Sequence, residues 1–303
     1  MQNDTGALLP AMIEARDRFM DLVEDLRPEL HRYCARMTGS VFDGEDVVQD
    51  TLAKAYYALG QMREPPNLKP WLFRIAHNTA MDFLKRYEHR YVAPVPDVPE
   101  QAQDDEGVVD PDLVEAALTV FLGLPPLQRA AIILKDVLGH TNEEIAATME
   151  TTVGAVKAAL SRARANVAPR AVSARSKHAT ALSEDQRANL ARYVDLFNDR
   201  NWAGLRALLS DEARLEQVSL VQRRVKDAGY FERYAQVLKS EDIRAEAAIV
   251  DGVPAIAMFH PPASSQPAYF VLLEWREGRI DVIRDFRYVP YIARDAAFSS
   301  NDR

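Results

Sequence analysis

Apolar positions recur at three- and four-residue steps through roughly the first half of the chain, then give way to short alternating runs. Residues 11–60 read as helices, with Phe19, Leu22, Val23, Leu26 and Leu30 on one face. A Thr-Gly-Ser turn at 38–40 breaks that pattern. A second amphipathic run follows, carried by Val47, Val48, Leu52, Ala55, Tyr56 and Leu59, before Pro65, Pro66 and Pro70 interrupt. Residues 71–87 predict a third helix that buries Leu72, Ile75, Thr79 and Phe83.

Helical periodicity stops at residues 92–112. This stretch holds Pro94, Pro96, Pro99 and Pro111 among seven acidic residues and no basic one, which predicts an extended, negatively charged linker. Periodicity returns from Leu113 to Val167, and a Ser/Ala-rich spacer follows at 171–183. Beyond it, two helices are expected at 184–200 and 202–209. Strands are expected at 247–250, 255–259, 269–275 and 280–286, with Asp251-Gly252 and Glu277-Gly278 as hairpin turns. Helices followed by a run of strands predict an α+β domain.

Composition narrows the function classes. The 303 residues are 48% hydrophobic and 27% charged, ordinary values for a soluble globular protein. No segment approaches the roughly twenty apolar residues of a membrane helix, and residues 1–10 lack the basic-then-apolar order of a signal peptide. The single cysteine, Cys34, rules out an internal disulfide framework and suits a reducing cytoplasm, the expected location. A formal charge of −8 argues against non-specific coating of nucleic acid, so any DNA contact must come from local basic patches or a larger partner. Such a patch exists: residues 151–183 contain no acidic side chain but carry Lys157, Arg162, Arg164, Arg170, Arg175 and Lys177.

Three segments carry candidate chemistry. Thr141–Arg164, TNEEIAATMETTVGAVKAALSRAR, fits a helix-turn-helix. Thr141 and Glu144 form a capping-box pattern, Ile145 and Met149 face inward, and Val153, Val156 and Leu160 form the buried stripe of the second helix. Lys157, Ser161, Arg162 and Arg164 are left outside, where a major-groove helix needs donors for phosphates and guanine edges. A solvated basic helix within a bundle is the plainer alternative. Lys69–Arg90 gathers basic, amide and aromatic groups on one helix, a surface able to hold a DNA strand by phosphate contact and base stacking. The alternative is a core helix that buries Trp71 and Phe73. In Asp43–Leu59, Asp46, Gln49 and Asp50 share a face, for which a solvated acidic surface is the usual explanation.

Taken together and in this order, the three segments resemble the sigma-70 family, specifically its extracytoplasmic-function group, over about residues 14–168. The resemblance implies a region 2 bundle at 11–92, an acidic linker at 93–112, a region 4 helix-turn-helix at 113–170 and a second linker at 171–183. It implies core RNA polymerase and promoter DNA as partners. Asp46, Gln49 and Asp50 would meet polymerase. Trp71, Arg74, His77, Asn78, Lys85 and Arg86 would lie near the −10 strand. Thr152, Lys157, Ser161, Arg162 and Arg164 would lie near the −35 element. Two features depart from the family pattern: Glu150 stands where the turn usually holds glycine, and Ala158-Ala159 stand where Ser-Arg is common in the recognition helix. Direct base reading there would be weaker, with more reliance on DNA shape and thymine methyls.

Residues 184–291 resemble the SnoaL-like, cone-shaped α+β fold, through LARYVDLFNDRNWAGLRALLSDEARLE and GRIDVIRDFRYVPYI. The fold class is therefore multidomain: two all-α domains and a C-terminal α+β domain. Asp211, Asp227 and Asp285 are the carboxylates conceivable as bases in such a pocket, although surface or capping roles are expected of each. No catalytic role, metal or cofactor is assigned; a small-molecule ligand in this domain is left open. The expected function is a sigma factor modulated in cis by its C-terminal domain. Two rivals are a ligand-responsive DNA-binding regulator that does not bind polymerase, and a ketosteroid-isomerase-like enzyme with a helical targeting module.

Overall fold

A computed structural model describes residues 14, 17–62, 64, 66–86, 121–167, 182–218, 221–224, 229–239 and 242–300. The acidic linker at 93–112 and nearly all of the spacer at 171–183 lie outside them. The chain divides into two compact units, Met1–Lys177 and His178–Arg303.

In the first unit, helical residues 17–23 lead through a 3₁₀ turn, Glu24–Leu26, into α1 (Arg27–Thr38). Pro28 sits in the first turn of α1, where its missing N–H costs nothing. The 3₁₀ turn breaks the helical phase: Phe19, Val23 and Leu30 are buried, but Leu22 is 65% exposed, contrary to the single face expected. Gly39 ends α1 in the left-handed conformation, and the Ser40 hydroxyl accepts from the Asp43 N–H to start α2 (Val41–Leu59). α1 and α2 cross closely because Gly44 has no side chain: a Cβ there would meet the Ala35 backbone at 2.5 Å. An ion pair between Arg27 and Glu45 is buried in the same crossing. α3 runs Leu68–Arg86, with Pro70 in its first turn rather than breaking it.

α4 (Pro126–Ile132) continues into a π-helical turn, Ile133–Val137, followed by α5 (Asn142–Thr148) and α6 (Val153–Val167). One hydrophobic core runs through all of these elements. Val48, Leu52, Leu72, Phe73 and Ala76 pack in the same cluster as Ile133, Leu134, Ile145, Val156 and Leu160. Arg129, 3% exposed, extends this continuity by donating to the Met37, Leu122 and Leu124 carbonyls. Leaving one such buried acceptor unpaired costs about 1–3 kcal/mol.

The second unit packs α7 (Glu184–Asn198) and α8 (Trp202–Ala207) with a seven-stranded sheet of order β2-β1-β6-β5-β4-β3-β7. The strands are β1 (Leu209–Gln217), β2 (Val221–Arg224), β3 (Arg244–Val250), β4 (Val253–Phe259), β5 (Tyr269–Arg276), β6 (Arg279–Asp285) and β7 (Phe298–Ser300). β1 runs parallel to β6, and the other pairings are antiparallel. Both expected hairpins are present: Asp251-Gly252 and Glu277-Gly278 each have two consecutive positive φ values, as a type I′ turn requires. Three strands lie outside the expected set. β1 reads LSDEARLEQ, rich in residues that strands disfavour, yet its alternating Ala213, Leu215 and Gln217 are buried. β7 pairs with β3 beyond α10 (Tyr291–Asp295), so this unit extends past the expected boundary at 291.

Candidate nucleic-acid and protein interfaces

The helix-turn-helix forms as its residues require. The Thr141 hydroxyl accepts from the Glu144 N–H at 3.2 Å, and Glu144 accepts from the Thr141 N–H at 2.7 Å. The Thr141 N–H and, at 2.9 Å, the Thr141 hydroxyl both donate to the Glu144 carboxylate and hold it below its usual range. In the turn, Glu150 has φ 51°, the left-handed conformation glycine would adopt freely. A side chain there costs about 1–2 kcal/mol. Thr152 caps α6: its hydroxyl accepts from the Ala155 N–H at 3.1 Å. Val156 and Leu160 point into the core, while Lys157, Ser161, Arg162 and Arg164 are exposed. Arg164 is paired with Asp136 at 2.8 Å, an exposed bridge that a DNA phosphate can displace at little cost. Ala159, one of the two alanines taken as base-facing, is instead 7% exposed and part of the core. Ala158 is half-buried.

α3 divides the six residues expected near the −10 strand. Arg74, Asn78, Lys85 and Arg86 are exposed along one side. Trp71 and His77, at 6% and 3% exposure, belong to the buried side and are not on that surface in this structure. His77 Nδ1 and the Tyr33 hydroxyl share a hydrogen bond of 2.8 Å, and burial raises the Tyr33 phenol well above its ordinary range. Burial likewise pushes the His77 imidazole down to about 4, with Glu150 pulling weakly the other way. The helical period accounts for His77, one turn beyond buried Phe73; Trp71 shares the phase of exposed Arg74 and Asn78 and is buried nonetheless.

On α2, Asp50 is exposed, whereas Asp46 and Gln49 are half-buried and Gln49 donates to Glu45 at 3.4 Å. The outward stripe continues from Asp50 through Ala53 and Lys54 to Tyr57, which is 74% exposed.

In the second unit, Asp211 is exposed and Asp227 lies outside the described residues. Asp285 departs from the surface or capping role expected of it: it is 2% exposed, inside a group of buried tyrosines. Tyr234 donates to its Oδ2 at 3.2 Å and shares a 2.9 Å hydrogen bond with Tyr269. The Arg287 N–H donates to its Oδ1 at 2.9 Å. Burial raises the Asp285 carboxyl, and the Arg287 amide is the largest opposing influence. The Arg287 guanidinium lies over the rings of Tyr234 and Tyr269, 6.0 and 5.7 Å from their centroids. Two of these tyrosines, Tyr230 and Tyr234, come from α9 (Tyr230–Val237), a helix the sequence reading did not mark. The signal was present in β6, where Asp285 shares the inward phase of Ile283.

Residues 22–90 match the family model for Sigma-70 region 2, and residues 115–167 match that for Sigma-70, region 4. The chain is 30% identical over 275 residues to the ECF RNA polymerase sigma factor SigG of Mycobacterium tuberculosis, covering 81% of this chain and 74% of that protein. This chain belongs to the extracytoplasmic-function group of sigma-70 factors. As a sigma factor it directs RNA polymerase to promoters. The sigma factor RpoE of Bartonella quintana, solved with the anti-sigma factor NepR, is 27% identical over 50% of this chain and 95% of its own, at a TM-score of 0.39. The Mycobacterium tuberculosis sigma factor SigJ covers 89% of this chain and 98% of its own at 17% identity and a TM-score of 0.36. α1–α3 fall within the residues that match region 2, and α4–α6 within those that match region 4.

Proposed function

We propose that the three surfaces divide the work of initiation. The acidic edge of α2, centred on Asp50, docks on core polymerase. The outer side of α3, through Arg74, Asn78, Lys85 and Arg86, holds the −10 strand. α6 enters the major groove of the −35 element with Lys157, Ser161, Arg162 and Arg164. The observation that carries this reading is α6: a capped helix whose buried stripe leaves every basic side chain outward, with no acidic residue in its own sequence. Apolar contact by Ala159 has no part in it. Trp71 and His77 support the shape of α3 from within.

The C-terminal α+β domain modulates this activity in cis without catalysis of its own, and the protein acts in the cytoplasm with polymerase. Run-off transcription with core enzyme tests the whole scheme. Lys157→Ala or Arg162→Ala should weaken holoenzyme binding to the promoter. If the contact is to phosphate, the salt slope should fall by about one. Indifference to both changes would overturn the region 4 assignment. Ending the chain at Lys177 should change output at matched protein concentration, and unchanged output would remove the modulating role.

A further inference from the structure

Gly44, Gly154 and Gly204 lie inside helices, and two of them are there for packing. A Cβ on Gly44 would meet the Ala35 backbone at 2.5 Å, and one on Gly204 would meet a Leu196 methyl at 2.6 Å. Gly154, in the first turn of α6, is different. The nearest heavy atom to a Cβ there is the Thr152 hydroxyl oxygen at 3.9 Å, an ordinary contact. Nor does Gly154 have a positive φ. Neither its backbone nor its neighbours exclude alanine, which would favour the helix: within a helix, glycine lowers the folded-to-unfolded ratio by roughly two- to fivefold relative to alanine. Nothing packed around Gly154 accounts for that loss.

Gly154 is at the centre of the outward side of α6. At about 100° per residue, Ala158, Ser161 and Ala165 fall within about 40° of it, opposite buried Val156, Leu160 and Ala163. Lys157 and Arg164 project about 60° and 80° to one side of that line, and Arg162 about 80° to the other. The side chains along the centre are small, and the long basic ones flank them. A major groove about 12 Å wide must take a helix about 10–12 Å across with its side chains. A long side chain on the centre line would hold the helix off the base edges, whereas basic side chains at its flanks face the phosphates of the two groove walls.

We propose that Gly154 sets the depth at which α6 seats in the major groove: with no side chain at the centre of the leading turn, the helix backbone lies against the base edges while Lys157 and Arg162 hold opposite walls. The proposal rests on the assignment of α6 to the −35 element above. Gly154 is a positioning residue, since it acts by the clearance it leaves and not by a contact of its own side chain. An unfavourable residue in an exposed helix is then stability given up for fit. A methyl group at this point displaces the leading turn slightly; an isobutyl group moves Ser161 and both basic flanks away from the DNA together. Alanine and leucine are both better helix formers than glycine, so affinity and stability move in opposite directions.

The test compares Gly154→Ala and Gly154→Leu in the full chain. Urea unfolding followed by Trp71 fluorescence, with Trp202 and Trp275 replaced by Phe, should give both variants a higher midpoint than the parent. Holoenzyme made with the same chains should bind a duplex promoter fragment more weakly, by about tenfold for Gly154→Leu, the worth of about one good base contact, and by less for Gly154→Ala. Binding to a single-stranded −10 oligonucleotide should stay the same. Undiminished affinity of the Gly154→Leu holoenzyme for the duplex overturns the proposal. So does a loss accompanied by a lower unfolding midpoint or by an equal loss on the −10 oligonucleotide, either of which would give Gly154 a purely structural role. Lys157→Ala and Arg162→Ala, measured beside them, keep the two ideas apart. If these weaken duplex binding and Gly154→Leu does not, α6 keeps its assignment and Gly154 loses its role. If none of the four weakens it, the assignment of α6 falls and the proposal with it.

Discussion

Replacing His77 with Gln should remove an acid-sensitive component from the stability of the N-terminal unit. His77 is 3% exposed and hydrogen-bonded to Tyr33; burial favours the neutral imidazole and pushes it from its ordinary value of 6.5 to about 4. Between those values the unfolded chain binds a proton that the folded chain does not. The stabilisation is complete above pH 6.5 and is lost as pH falls toward 4. A shift of this size is worth about 3 kcal/mol in full, of which about 2 kcal/mol disappears between pH 7 and pH 5. Gln can still hydrogen-bond the Tyr33 hydroxyl, as donor or acceptor, but has no proton to gain. The assay is urea unfolding of the full chain at both pH values. Trp71 fluorescence would report on the N-terminal unit in a background where Trp202 and Trp275 are Phe. The wild type should lose about 2 kcal/mol more than H77Q on acidification. Equal losses would mean that His77 titrates normally, and the argument from its burial would fail.

Asp285→Asn should act with the opposite sign in the other unit. Burial raises the Asp285 carboxyl above its ordinary value, so the folded state holds a proton the unfolded state has lost, and stability declines as pH rises through the folded value. The Asn variant should flatten that decline in unfolding followed by Trp202 and Trp275; an unchanged slope would refute it. Glu45→Ala removes the carboxylate that buried Arg27 faces and should cost about 3–5 kcal/mol in the same urea assay; a loss within experimental error would show that solvent reaches the pair. Asp50→Lys places a cation at the exposed centre of the α2 edge. It should weaken holoenzyme assembly in a pull-down while the circular dichroism spectrum stays unchanged, and undiminished assembly would move the polymerase contact elsewhere.

Local chemistry determined much of this protein from the sequence alone. Thr141 and Glu144 specify a helix start through bonds within four residues, and Gly39 with Ser40 specifies a stop and a start. Asp251-Gly252 and Glu277-Gly278 specify hairpins because few dipeptides accept two positive φ values. The order of the three motifs carried the sigma assignment. Tertiary structure decided what depends on distant partners. Trp71 and His77 have the composition of nucleic-acid contacts, yet both are buried: His77 through its inward phase on α3, against Tyr33 of α1, and Trp71 by tertiary packing that its phase, shared with exposed Arg74 and Asn78, does not foretell. β1 has poor strand propensity and is held by pairing with β6, about seventy residues away in sequence. Asp285 reads as an ordinary surface carboxylate until α9 and β5 bring Tyr234 and Tyr269 onto it. The seating of region 4 on region 2 was likewise illegible, because Glu150 and Arg74 meet only when two separately encoded helical segments share one apolar core. Bonds between near neighbours leave a sequence pattern; the burial of one segment by another is set by the free energy of the whole core.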